Sequence, residues 1–100
     1  MNVIVSNLKI NLEPAGFLAE ELEVGDTVVT ARKCESLYAL VSVKKNPIKV
    51  TFDGTSPVTA GAGIVFDKGV YTWHRNWVNK AKFIEATGGS SATVRIERMN

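Results

Sequence analysis

The 100-residue chain has few of the residues on which covalent cross-links and metal sites depend. It contains one cysteine, Cys34, so no disulfide can form within the chain. It contains one histidine, His74, and zinc normally takes several Cys or His ligands at short spacing. No apolar run approaches the ~20 residues that a membrane-spanning helix needs. The residues therefore predict no metal or other cofactor and no membrane partner.

Neither a large net charge nor a catalytic motif is present in the sequence. Twelve basic and ten acidic residues give a formal net charge of +2, which does not favour nucleic acid as a partner even though basic residues flank Trp73 and Trp77. The chain has no GxSxG elbow and no phosphate loop, and no His or Asn lies near Cys34 in the sequence to activate it. We therefore expect no catalytic residues and no enzymatic activity, with Cys34 in a structural role.

Length and hydrophobic content indicate one domain over residues 1–100, because 45% hydrophobic residues is ordinary for a small globular protein. The first twelve residues have no basic leader and no small-residue cleavage site, so we expect no signal peptide. Within them Leu8, Ile10 and Leu12 alternate with polar residues, as in a strand with one wet face. Residues 1–12 are thus expected to form a strand on their own domain or an arm on a neighbouring subunit.

Hydrophobic alternation continues along most of the chain and predicts an all-β fold of about eight short strands. Further strand-like runs lie at residues 27–31, 36–44, 48–52, 64–66, 70–73, 78–86 and 92–98. Turn signals every 8–12 residues, without helices between the strands, favour an antiparallel β-sandwich or a jelly-roll-like barrel. At most one short helix is expected, near residues 14–23, where a strand and loop fits almost as well.

Short breaks between these runs predict three hairpins. They lie at residues 45–47, 67–69 and 87–91, each between two consecutive strands. Asp53-Gly54 marks a further turn, because Asp bonds to nearby backbone and Gly accepts a positive φ without steric cost.

The order of these features resembles small β-sandwich structural proteins of tailed bacteriophage virions. The matching features are a strand, an Asn-containing turn, a second strand, a small-residue loop, a hydrophobic stretch, an acidic Gly turn, an aromatic strand and a final strand pair, at residues 40–43, Asn46, 48–52, 59–63, 64–66, 67–69, 71–73 and 83–97. The resemblance covers residues 37–98. It implies a non-enzymatic virion component made in the host cytoplasm, foremost a capsid decoration (cement) protein on the outer capsid lattice. A head–tail connector part and a tail subunit are the alternatives.

The resemblance also implies the partners, which are the major capsid protein or other virion subunits, with homo-oligomers in the assembled particle. Trp, Tyr and Arg dominate the binding energy of interfaces, and apolar side chains near the N-terminus can add contacts. The candidate interface residues are Val3, Val5, Phe17, Leu18, Leu22, Tyr71, Trp73, His74, Arg75 and Trp77. The rings of Trp73 and Trp77 also permit a small carbohydrate-binding module, and the pattern leaves open whether either ring is core or exposed.

Overall fold

Two four-stranded antiparallel sheets face each other in the structure, a computed structural model that describes residues 19–99. The elements are β1 (Ala19–Val24), β2 (Val29–Thr30), β3 (Tyr38–Lys44), β4 (Ile48–Thr51), β5 (Ile64–Phe66), β6 (Gly69–His74), α1 (Arg75–Lys80), β7 (Lys82–Glu85) and β8 (Ala92–Met99). Sheet I has the order β1-β8-β3-β6 and sheet II the order β2-β7-β4-β5. The expected strand or arm over residues 1–12 lies outside the described residues, as do the candidate interface residues Val3, Val5, Phe17 and Leu18.

The strand order is that of a jelly roll. The first strand pairs with the eighth, the second with the seventh, the third with the sixth and the fourth with the fifth. This nesting wraps one long folded ribbon into two facing sheets. The prediction of an all-β sandwich or jelly-roll-like barrel of about eight strands is therefore confirmed.

The core lies between the sheets and follows the alternation of the strands. On β3 every second side chain is buried, β8 alternates in the same way from Val94 onward, and β7 is buried on both faces from Phe83 to Glu85. The fully buried large side chains are Trp73, Phe83, Ile48, Ile96, Val24, Val41, Val50, Val78, Val94 and Cys34. Cys34 belongs to this core, and its thiol donates a hydrogen bond to the Ser36 carbonyl at 3.3 Å.

The three predicted hairpins are wrong, because each of those breaks carries the chain from one sheet to the other. β3 pairs with β6 and β8, whereas β4 pairs with β5 and β7. After β3 the backbone turns sharply at Lys45, which has a φ of 77°, and the Asn46 side chain donates to the Ser91 carbonyl at 2.8 Å. Among the described strands, β4 and β5 are the consecutive pair that hydrogen-bonds directly.

The short helix expected near residues 14–23 is also wrong where the structure describes that stretch. Residues 19–24 form β1, in which Leu22 packs on the core while Glu21 and Glu23 are exposed. Strand pairing along the whole of β1, with residues 92–97 of β8, outweighs the weak helix propensity of so few residues. Within residues 19–99 a helix lies at α1, and its last three residues overlap the start of the predicted strand 78–86. Its first turn is capped by the His74 imidazole, whose Nδ1 accepts from the Asn76 N–H at 3.1 Å.

Candidate functional site

Aromatic rings close the interior of the sandwich beside β5 and β6, and Trp73 lies at their centre. Its ring stacks on Phe83 across the sheets with 6.1 Å between centroids, and contacts Phe52 and Phe66 at 5.2 and 5.3 Å. Only 2% of Trp73 is exposed, so it is a core residue and cannot serve as the interface residue expected from the sequence. Tyr71 is half-buried against Phe66, and its hydroxyl donates to the Asp67 carbonyl at 2.7 Å.

Outside this cluster, β5 and β6 form one open side of the sandwich with exposed aliphatic side chains. Both are edge strands of their sheets, and they follow one another through a two-residue connection, so the two edges lie on the same side. We call Val58, Ile64, Val65 and Val70 the apolar edge; their exposed fractions are 53%, 57%, 57% and 65%. Val65 and Val70 lie on the outer faces of sheets II and I, so the apolar edge extends over both faces.

An open cleft adjoins the apolar edge at Ile64. It has a volume of about 400 Å³ and lies between the end of β4, the turn at residues 53–55 and the start of β5. Val50, Phe52, Ala62 and Ile64 supply its apolar walls, and Asp53 and the Thr side chains lie at its polar side. The cleft is therefore of a size and polarity to receive one or two aliphatic side chains.

The small-residue loop before β5 is held down on the outer face of sheet II. The Lys49 amino group donates to the carbonyls of Thr59 and Gly61 at 2.8 and 3.1 Å, and the Thr59 hydroxyl donates to the Glu85 carbonyl at 3.0 Å. Gly63 has a φ of +134°, and a Cβ there would lie 2.3 Å from the Lys49 side chain, so glycine is needed. This bonding fixes the position of Ile64 and the cleft.

The turn at the other end of this loop depends on the Asp53 carboxylate. It accepts from the Thr55 hydroxyl at 2.6 Å and from the Thr55 N–H at 3.1 Å. These hydrogen bonds, with the hydroxyl contributing most, lower the pKa of Asp53 from its usual 3.8. Because the folded protein favours the ionised form, Asp53 stabilises the fold above the unfolded pKa, and this contribution is lost as the pH falls through the folded pKa.

We therefore expect Asp53→Asn to be less sensitive to acid than the wild type. Asparagine keeps an acceptor for both Thr55 donors but does not titrate, so the part of the acid destabilisation below about pH 4 that arises at this turn disappears. Urea midpoints measured at about pH 6 and about pH 3 for both proteins test this. Equal losses of stability in the two proteins would show that the turn does not depend on the carboxylate charge.

The remaining candidate residues lie at different places. His74 stacks edge-on against Tyr38 at 5.6 Å, and Tyr38 is also paired with Met99, so these three form a row across the outer face of sheet I. Arg75 is exposed at the start of α1, where its guanidinium donates to the Glu35 carbonyl at 3.2 Å. Leu22 packs against the core. The sequence-predicted residues of β6 and α1 thus divide between the core, the outer face of sheet I and the helix.

Trp77 is the one tryptophan that reaches the surface. Its side chain is 51% exposed and packs on Phe52, with 5.2 Å between ring centroids. Beside Phe52 lies a second open cleft of about 360 Å³, which Asp53, Asn79, Lys80 and Lys82 also line. The Asn79 amide is already occupied by both backbone groups of Cys34. A carbohydrate-binding function would depend on this exposed ring and the polar and charged side chains near it.

Sequence reasoning missed the apolar edge, although a signal for it was present. Ile64-Val65-Phe66 is apolar at every position, so both faces of this strand carry apolar side chains, and only one of them can face the core. The other face had to be exposed or covered by a partner. The candidate interface residues on β6 and α1 were chosen mainly as Trp, Tyr and Arg, whereas the exposed residues at the apolar edge are valines and an isoleucine.

The exposed features of residues 19–99 described above are apolar and aromatic surfaces with open clefts beside them. In residues 19–99 no group of three or more His, Cys, Asp or Glu side chains is placed to hold a metal ion. No helix in that part of the chain is long and apolar enough to cross a membrane. No protein-family model, curated protein or solved structure matches the chain. The chemistry available at the apolar edge is strand addition and burial of aliphatic side chains.

Proposed function

We propose that this protein is a non-enzymatic structural subunit of a phage virion, and in particular a decoration protein that binds the outer face of the capsid lattice. The observation that carries the proposal is the apolar edge, where four aliphatic side chains are each more than half exposed around two open strand edges. Rimmed apolar surface of this kind marks protein–protein contact sites on soluble domains. The jelly roll is also an architecture that capsid proteins use.

The size of the edge suits a role in which many weak contacts add. Fully burying one Val or Ile side chain contributes about 1.5–3 kcal/mol, so the four together contribute at most about 6–12 kcal/mol, which is comparable to the ~4–15 kcal/mol cost of association. A single contact would therefore be weak. Repetition over a lattice raises the effective affinity without any new contact, which is the situation of a decoration protein. A head–tail connector part or a tail subunit would use the same edge at lower copy number.

Co-sedimentation with capsids assembled from the major capsid protein of the same genome tests the proposal. We expect saturable binding at a fixed ratio to capsid subunits, and a loss of affinity of about tenfold or more for Val65→Asp, because a charge would be buried in an apolar contact. Thr30→Asp is the matched control, since Thr30 is exposed on β2 at the opposite edge of sheet II. A genome without a capsid gene, or a folded protein that never co-sediments, would overturn the proposal.

A carbohydrate-binding module is the second candidate, and the exposed ring of Trp77 favours it, because that ring packs on Phe52 at the wall of the second cleft. Because Trp73 is buried, it cannot contribute to such a sugar-binding site. If the second candidate holds, a sugar panel should shift the tryptophan fluorescence, and Trp77→Ala should abolish the shift while leaving the fold intact. If no sugar in the panel changes the fluorescence and the protein binds capsids, the carbohydrate-binding function is excluded and the structural role is supported.

A further inference from the structure

We propose that residues 7–12 of a second copy of this chain add as a strand to the free edge of β5, with one aliphatic side chain in the cleft beside Ile64. This inference deepens the proposed structural role and rests on it for its setting, a particle in which copies lie side by side. It assigns the acceptor surface, the donor segment and the chemistry of the contact.

The acceptor is an edge with unused backbone groups. β5 pairs with β4 through Ile48↔Phe66, Lys49↔Val65 and Val50↔Ile64, and within residues 19–99 no backbone hydrogen bond reaches its other side. Edge strands are usually kept from further pairing by shortness, lysine, proline or an inward charge. Ile64–Phe66 is short, with three residues, but it carries no lysine, proline or charge. Such an edge accepts an added strand through main-chain hydrogen bonds, with specificity from a side-chain pocket.

The donor has the matching pattern. In residues 7–12 one face is Leu8, Ile10 and Leu12 and the other is Asn7, Lys9 and Asn11. A strand of this kind can turn its aliphatic face to Ile64 and the cleft while its polar face stays in water. The cleft of about 400 Å³ is walled by Val50, Phe52 and Ala62 and exceeds the volume of a leucine or isoleucine side chain. Polarity and size therefore agree between donor and acceptor.

Chain length favours a second copy over the donor's own domain. Ala19 lies on β1, at the opposite edge of the other sheet from β5. A route between them crosses three interstrand spacings, about 14 Å, and one sheet-to-sheet spacing, about 10 Å, before clearing any side chains. Seven residue steps separate Leu12 from Ala19, and they span about 24 Å at full extension. The own-domain route thus leaves no slack, whereas the edge of a neighbour imposes no such limit.

A mixing experiment with full-length variants tests the proposal. Ile10→Asp breaks the donor face, and Ile64→Asp breaks the acceptor; the latter should still fold, because Ile64 is more than half exposed. We expect the wild type to self-associate in sedimentation-velocity runs and each variant alone to do so at least about tenfold more weakly. An equimolar mixture should recover association, because the intact arm of the Ile64→Asp chain meets the intact edge of the Ile10→Asp chain.

The control is Lys9→Asp, on the wet face of the same segment, which should associate within about twofold of the wild type. Wild-type protein that stays monomeric, unchanged association of Ile10→Asp, or a mixture that fails to associate would overturn the inference. Circular dichroism of each variant should be measured to show that it is folded. Because Ile10→Asp leaves Val65 and Val70 intact, its co-sedimentation with capsids should persist, so loss of copy-to-copy association and loss of capsid binding are read separately.

Discussion

Replacing Trp73 with alanine should lower the free energy of unfolding by about 3–5 kcal/mol. The ring is at the centre of the aromatic cluster, stacked on Phe83 and in edge contact with Phe52 and Phe66, so its removal leaves a large cavity between the sheets. A chain of this length has about 5–15 kcal/mol of stability in total. The variant is therefore expected to lose a large part of its stability and to be partly unfolded on mild heating.

Trp77→Ala is the matched control for this prediction. It deletes the same side chain from the same cluster, but Trp77 is 51% exposed, so little cavity forms and we expect a loss of about 1 kcal/mol. Urea unfolding should be followed by far-UV circular dichroism, because each substitution removes a fluorophore. A Trp73→Ala protein that is as stable as Trp77→Ala would mean that Trp73 does not hold the two sheets together.

The contrast between the two tryptophans shows what the sequence can predict about the site. Trp73 follows the alternation of β6 and lies on the same strand face as Tyr71, as residues two apart in a strand do. Which face of an edge strand is covered depends on the opposite sheet, here on Phe83, which is ten positions along the chain but lies in the other sheet. Residue type suggested hot spots, yet only the packing decides which aromatic ring is free to meet a partner.

Strand positions were predictable for the same reason that strand partners were not. Alternation in residues 36–44 and 48–52 reports that each strand has a wet and a dry face, and both strands exist. It does not report whether the next strand lies beside the first or across the core from it. At Lys45 the chain crosses to the other sheet through a residue with a positive φ. A lysine rarely adopts this conformation, so the sequence does not predict it. All three hairpins were misassigned because alternation does not show which strand pairs with which.

The helix was missed because its cap is unusual. Ser, Thr, Asp and Asn are the common N-cap residues, and α1 is instead capped by a histidine nitrogen. With six residues the helix is too short to show a hydrophobic period, and its buried Val78 fits a strand equally well. Its position matters for function, since it brings the exposed ring of Trp77 over Phe52.

Glu20→Gln should be the second most damaging of these substitutions, with an expected loss of about 3 kcal/mol. The Arg98 guanidinium donates to the Glu20 carboxylate at 2.9 Å and to the Arg32 carbonyl at 2.7 Å, and the two side chains are only 8% and 12% exposed. The contact joins the first and last strands of the jelly roll to the segment before β3. Neutralising Glu20 removes the carboxylate charge that faces a nearly buried cation, so a large part of the desolvation cost of that cation is no longer offset.

Glu21→Gln is the matched control, because the next residue makes the same kind of pair at the surface. Glu21 lies 3.4 Å from Arg95, with exposed side-chain fractions of 51% and 34%, and such pairs contribute about 0–1 kcal/mol. Urea unfolding at low and at high salt separates the two, since salt should weaken the exposed pair and hardly affect the buried one. The double variant Glu20→Leu, Arg98→Leu should recover most of the loss, because two aliphatic side chains carry no desolvation cost. Were Glu20→Gln no more damaging than Glu21→Gln, the closure of the jelly roll would depend on the β1–β8 backbone ladder alone.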